Sequence, residues 1–315
     1  MNDVLRRMLL HSFPNLQWLK REAEQSFSAK KDMSGQPLAQ KGWPTVILNV
    51  KTADIYRDNI RGPVSIFTNL SGESIVEVDS HRVRIKNDYF FVTNQRQHYT
   101  LEVGKHKAET FNIHFGDYVA EQTRMSLTST LSESLENKEH SNCDNVVFHN
   151  KLYQKTNHFN KLVTELSGIA AQPLMLEQKL YELMALLLAE QGHLRQISGK
   201  ISVIKPSTRE ELLKRMLRAV DWMHAYYETD INVDDLATAS CLSKFHFLRL
   251  FNTAFGQTPH QALTQIRIAK AKELLKHTKS DVKEVARLTG YADASTFSRA
   301  FYQQLGVYPS QFRTS

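Results

Sequence analysis

Cysteine is scarce in this chain. Cys143 and Cys241 are the only two among 315 residues. That excludes a disulfide framework, and their separation matches no metal-ligand spacing, so a reducing compartment is expected. No apolar run approaches the ~20 residues that span a bilayer, and no membrane partner is expected. Met1 to Phe13 interrupts its apolar positions with Arg6, Arg7 and His11 and lacks a small-residue cleavage site. No export signal is therefore expected, and the expected location is the cytoplasm. A Ser/His/Asp set, a Gly-rich phosphate loop and a Cys/His cluster are all absent from the motifs, which gives no sign of a catalytic centre or a cofactor.

What is present points to two domains, since single cores stop growing before this length. The net charge is +7 and the pI near 9.2. That balance permits a nucleic acid without demanding one. Residues 1–40 read as short helices, with Val4, Leu5, Met8 and Leu9 at helical spacing, broken by Ser34-Gly35-Gln36-Pro37. From about Trp43 to Phe115 come short apolar runs bounded by turn residues: Val46–Leu48, Val64–Phe67, Ile75–Val78, Val83–Ile85 and Tyr89–Val92. Phe111, Ile113 and Phe115 alternate with Asn112 and His114. Many short strands at close spacing predict a β-barrel or jelly roll. Residues 151–192 read as helix. Leu176, Leu180, Leu183, Met184 and Leu187 form a broad apolar stripe that suits either packing on the barrel or a dimer seam. Gln196 to Ser207 has few core residues and reads as a linker.

After Arg209 the pattern is helical and contains a near-repeat. Phe247-Leu248-Arg249-Leu250-Phe251 corresponds to Phe297-Ser298-Arg299-Ala300-Phe301, and Phe255 to Pro259 corresponds to Leu305 to Pro309. Leu236-Ala237 corresponds to Val285-Ala286 one residue out of register, so the second copy has a longer turn. Each copy reads as a short helix, a tight turn and a longer helix, the helix-turn-helix pattern. Asn232, Ser243, Asp281 and Asp293 stand at N-cap positions, and Gly290 supplies a turn. In the longer helices Phe247, Leu250, Phe251 and Ala254, and likewise Phe297, Ala300 and Phe301, fall on one face and predict core. At 100° per residue Phe245, Arg249 and Asn252 point the other way, with Leu248 beside them; Ser295, Arg299 and Tyr302, with Ser298, repeat this. An exposed Arg is usually only solvated. Two copies with Arg at the same position favour a face that enters a major groove, where Arg reads guanine, Asn reads adenine and an apolar group meets a thymine methyl. Leu236 to Lys272 holds Lys244, Arg249, Arg267, Lys270 and Lys272 and no acid, a stretch suited to phosphates.

These motifs, together with Arg267-Ile268, Ala271 to Leu275, Gly290-Tyr291 and Phe312-Arg313, resemble the AraC/XylS family of transcription regulators over about Arg209 to Arg313. The resemblance implies that Lys244, Phe245, Leu248, Arg249 and Asn252 contact double-stranded DNA in the first unit, and that Ser295, Thr296, Ser298 and Arg299 do so in the second. Ala294 and Ser295 are small where relatives carry longer polar residues, so the second unit is expected to read fewer bases. Asp88 to Val92 followed by His98-Tyr99 loosely resembles the family's cupin-like sensor domain, although the turn Thr93 to Arg96 lacks the family's proline.

The expected fold is therefore α+β: a cupin-like β-barrel (jelly roll) with flanking helices, then an all-α domain with two helix-turn-helix units joined by a helix, Thr264 to His277. The expected boundaries are a helical segment at 1–40, a sensor and dimerisation domain at 41–192, a linker at 193–208 and a DNA-binding domain at 209–315. The helix-turn-helix units fall at about 233–256 and about 282–306. The expected function is a DNA-binding transcription regulator, with activation as the working expectation. Its expected partners are DNA, an unidentified small effector in the barrel and a second copy of the chain, with RNA polymerase a further candidate; no cofactor, metal or catalytic residue is assigned. Two alternatives stand beside it. One is a metal-binding cupin enzyme with a DNA-binding tail, drawing on His81, His98, His106 and His114; against it, no His-x-His pair with a downstream Glu occurs, and His114 is expected to face away from Phe111, Ile113 and Phe115. The other is a DNA-binding regulator without an effector.

Overall fold

The computed structural model of the chain describes residues 9–11, 45–116, 147–168, 173–203 and 205–314. The chain divides into two compact units, Met1–His193 and Leu194–Ser315.

In the first unit β-branched and aromatic runs separated by tight turns give β1 (Leu9–His11), β2 (Val46–Thr52), β3 (Ile55–Arg61), β4 (Ser65–Ser71), β5 (Ser74–Val78), β6 (His81–Ile85), β7 (Tyr89–Thr93), β8 (His98–Val103), β9 (Ala108–His114) and β10 (Leu152–Gln154). Two helices follow, α1 (Asn157–Gly168) and α2 (Pro173–Gly199). A six-stranded sheet runs β1-β2-β9-β4-β7-β10 and a four-stranded sheet β3-β8-β5-β6. All pairings are antiparallel except β1 with β2.

Strand alternation sorts the side chains of the larger sheet into two layers. Phe67, Tyr89 and Phe91 join Val76, Val83, Ile85, Tyr99 and Leu101 of the smaller sheet in one buried cluster. Phe67 and Tyr99 meet edge to face at 4.9 Å. The opposite layer, Ile66, Phe90, Val92, Phe111 and Ile113, is covered by the helices. The strands thus make a double-sheet jelly roll, and among the described residues the ladders do not join into a closed barrel. The aromatic layer between the sheets holds them at side-chain distance, too far apart for backbone bonds.

Two expectations need correction here, and one open alternative is decided. Leu152–Gln154 is a strand paired with Tyr89–Phe91, not helix. Leu9–His11 is also a strand, and the rest of the expected helical segment at 1–40 lies outside the described residues. Finally, Leu176, Leu180, Leu183, Met184 and Leu187 are all at most 2% exposed and pack with the sheet, α1 and one another, so the stripe is core and not a free seam.

The second unit is helical: α3 (Pro206–Tyr226), α4 (Val233–Ala239), α5 (Lys244–Phe255), α6 (Pro259–His277), α7 (Val282–Leu288), α8 (Ala294–Leu305) and α9 (Pro309–Thr314). It has two cores. One joins α3, α4, α5 and the start of α6 through Leu213, Met216, Leu236, Phe247, Phe251 and Leu263. The segment read as a linker contributes Ile197 and Ile201 to this core, beside Leu194. The other joins the rest of α6 to α7 and α8 through Ile268, Ala271, Leu275, Val285, Phe297 and Phe301.

Candidate nucleic-acid interface

Each core carries one helix-turn-helix, and the likeness between the copies reaches well below the level of residue type. In the first, Asn232 caps α4 by accepting from the N–H groups of Asp234 and Asp235, and Asp235 bonds back to the Asn232 N–H. The Ser240 hydroxyl then donates to the carbonyls of Leu236 and Ala237 at 2.8 and 3.0 Å. In the second, Asp281 caps α7, and the Thr289 hydroxyl donates to the carbonyls of Val285 and Ala286 at 2.7 and 3.2 Å. Both hydroxyl residues are fully buried. Cys241 and Gly290 follow in the left-handed region, at φ 53° and 80°. Leu242 N–H donates to the Ala237 carbonyl and Tyr291 N–H to that of Ala286, both at 3.0 Å. The copies stay in register through the turn, and the extra residue of the second falls at Ala292, just before the N-cap.

The longer helices α5 and α8 are held by buried faces, Phe247, Leu250, Phe251 and Ala254 in one and Phe297 and Phe301 in the other. In α5 the residues Lys244, Phe245, Arg249 and Asn252 are exposed, and Phe245 stands 79% open to solvent, a large apolar side chain with nothing over it. Leu248 is half-buried and packs against the first core. In α8 the residues Ser295, Thr296 and Arg299 are exposed and Ser298 is half-buried. The structure therefore places each expected set on the outer side of one helix, apart from the half-buried Leu248 and Ser298.

The helix starts differ. Ser243 caps α5 without a side-chain bond. Asp293 closes α8, accepting from the Thr296 N–H at 2.7 Å and its hydroxyl at 2.8 Å. Those bonds hold the Asp293 carboxyl below the usual carboxylate range. Thr296 is thus engaged within its own helix start.

The basic stretch also divides. Lys244 pairs with Asp234 at 2.9 Å and Lys270 with Glu273 at 2.8 Å, both at the surface, where a phosphate can compete with such pairs. Arg267 points inward: it donates to the carbonyls of Tyr227 at 2.9 Å and Thr229 at 2.8 Å. Sequence reasoning missed this role, because composition records a charge and not the carbonyls it meets. It also missed Gln261 and Gln311, whose side chains accept from the Thr258 and Tyr308 N–H groups and start α6 and α9 alike.

The histidines of the metal alternative are spread out. His98 meets Asn59 at 2.6 Å on the surface, while His114 lies on the inner layer, bonded to Ser65 at 2.8 Å. Among the described residues no three His, Cys, Asp or Glu side chains stand together as a metal site, and no helix is long and apolar enough to cross a membrane.

Residues 236–315 match the family described as a helix-turn-helix domain. The chain is 33% identical over 95 residues to the lactose operon transcription activator of Staphylococcus xylosus, covering 30% of this chain and 34% of that one. It is 31% identical over 133 residues to the HTH-type transcriptional regulator AlkR of Acinetobacter baylyi, 42% of each. The chain thus spans about a third to two-fifths of these relatives. Among solved structures, the DNA-binding domain of AdpA in complex with a target DNA is 28% identical, covering 32% of this chain and 90% of that one at a TM-score of 0.31. An AraC-type regulator from Chromobacterium violaceum is 23% identical, covering 35% and 95% at a TM-score of 0.31. The C-terminal part of this chain, residues 236–315, is a helix-turn-helix domain.

Proposed function

We propose that the protein is a sequence-specific, double-stranded-DNA-binding regulator of transcription. The observation that carries this is the paired geometry of α5 and α8: one face of each locked in a core, and the other offering Arg249 or Arg299 at the equivalent place. Phe245, Arg249 and Asn252 read the first groove, with Leu248 at the margin and Lys244 on the phosphates; Ser295, Ser298 and Arg299 read the second, and Thr296 supports the helix start there. Base-edge contacts specify the sequence, and lysines such as Lys244 position the backbone. The test is selection from a random duplex pool with the full chain. Enrichment of one motif spanning two successive major grooves, about 34 Å apart, is expected; no enriched motif would remove the reading.

The first unit is proposed to take a small effector. Ser65 sits across the ladder from both Thr93 and His114, on the layer that faces the second sheet. Burial holds His114 near a pKa of about 4, hence neutral, and Thr93 Oγ1 is buried without a hydrogen-bond partner. These groups suit a small, uncharged, polar molecule. Binding at 100-fold over the dissociation constant should stabilise the protein by ~2.7 kcal/mol. Activation belongs to this reading on the likeness to the lactose operon activator, with RNA polymerase as a second partner and the cytoplasm as the place of action. A homodimer would use a face other than the buried Leu176 to Leu187 stripe.

A further inference from the structure

The two cores of the second unit share α6. Ala262 and Leu263 belong to the first, and Ile268, Ala271 and Leu275 to the second. Arg267 sits at the change-over. Its guanidinium bonds the Tyr227 and Thr229 carbonyls, at the end of α3 in the first core. The same group lies over the ring of Tyr291, 5.4 Å from the centroid, in the turn of the second helix-turn-helix. Gly290 brings that turn in close: a Cβ there would stand 2.4 Å from the Tyr227 carbonyl oxygen and 2.9 Å from Arg267 Nη2. Tyr291 in turn packs on Phe297 of α8, with ring centroids 5.4 Å apart. One side chain therefore ties the end of α3 to the turn that aims α8.

We propose that Arg267, seated against Gly290 and Tyr291, is a positioning residue that sets the distance and angle between the two reading helices, and so the base-pair spacing the protein accepts between its two half-sites. This rests on the DNA-binding reading above. A guanidinium suits the task, because its fixed fork can bond two carbonyls while its flat face lies on a ring. A planar group held from three sides resists rotation of one core about α6, where a single helix would bend. The tie makes the spacing a property of the protein rather than of the DNA.

The test uses the full chain and duplexes bearing the selected motif with the distance between its halves varied one base pair at a time. A duplex with one half scrambled serves as the half-site. Wild type should show a sharp optimum, at least tenfold tighter than at two base pairs away. Arg267→Met keeps the stem and removes the donors; Arg267→Lys keeps the charge but lacks the rigid fork and the flat face that lies over Tyr291; Gly290→Ala wedges the turn away from Tyr227. Each should flatten the spacing profile to within about threefold, while half-site affinity stays within about twofold of wild type. Should one variant fail to fold by circular dichroism, the others decide. An unchanged profile in a folded Arg267 variant would overturn the proposal. So would an equal loss on half-site and full site with a smaller salt slope, which marks a phosphate contact. Wild type that selects no motif would instead strike the DNA-binding reading itself.

Discussion

Cys241 and Gly290 occupy the same place in the two helix-turn-helix units. Both have positive φ, and each N–H donates to the carbonyl three residues back, Thr238 at 2.9 Å and Arg287 at 3.2 Å. A Cβ in the left-handed region costs roughly 1–2 kcal/mol, part of which glycine gives back as entropy in the unfolded chain. Cys241→Gly should therefore stabilise the protein by about 0.5–1 kcal/mol, seen as a higher urea midpoint with an unchanged slope. The side chain is exposed, so no packing is lost. A lower midpoint would mean that the thiol makes a contact that the turn geometry does not explain.

Asp293 places a carboxylate at the start of α8, where Ser243 at the start of α5 places none. Asn caps as well as Asp but carries no charge to repel phosphate. Asp293→Asn keeps an acceptor for the Thr296 N–H but loses the charged acceptor of the Thr296 hydroxyl, so it should lower the melting temperature slightly while tightening binding to specific and random duplexes alike, more so at low salt. Tightening confined to the specific duplex would make Asp293 a base reader.

In α5 the roles divide by chemistry. Arg249→Ala should cost about 1–3 kcal/mol on the specific site and relax preference at one or two base pairs. Lys244→Ala should weaken all duplexes and lower the salt slope by ~1. Competition binding against single-base variants of the site separates the two patterns.

His114 makes the first unit sensitive to acid. Burial lowers its folded pKa to about 4 against an ordinary 6.5, so between these values the unfolded chain binds more protons. Its effect on stability is absent above pH ~6.5 and grows as pH falls to about 4, at ~1.4 kcal/mol per unit and ~3 kcal/mol in all. His114→Asn should remove most of this slope from urea titrations run between pH 4 and 7. A slope that stays the same would move its origin to other groups.

Leu180 is fully buried between the sheet and α1. Leu180→Ala should cost about 2–5 kcal/mol, and Leu180→Glu should unfold the first unit instead of yielding a folded monomer. Sedimentation together with circular dichroism distinguishes the outcomes; a well-folded Glu variant with a changed assembly state would restore the seam.

What the sequence disclosed and what it concealed follow from the range of each signal. The helix starts at Asn232, Asp281 and Asp293, the turn at Gly290 and the faces of α5 and α8 depend on residues within a few positions, and all were legible. β3 was not: Ile55 to Arg61 is mostly polar, and its exposed outer positions leave too little apolar alternation to mark a strand. β10 is only three residues long and exists because Leu152 to Gln154 can pair with β7, a partner more than sixty residues away. Arg267 is the clearest case. In a stretch without acids it resembles a phosphate ligand, and only the distance to Tyr227 and Thr229 reveals it as a tie.

Sequence-specific binding is measured by titrating the full chain, at one fixed salt concentration, with its selected duplex and with a scrambled duplex of equal length and composition. At least a ~10³-fold preference for the selected sequence is expected, with much of it lost in Arg249→Ala. Equal affinity for the two duplexes, or a preference untouched by Arg249→Ala, would contradict it.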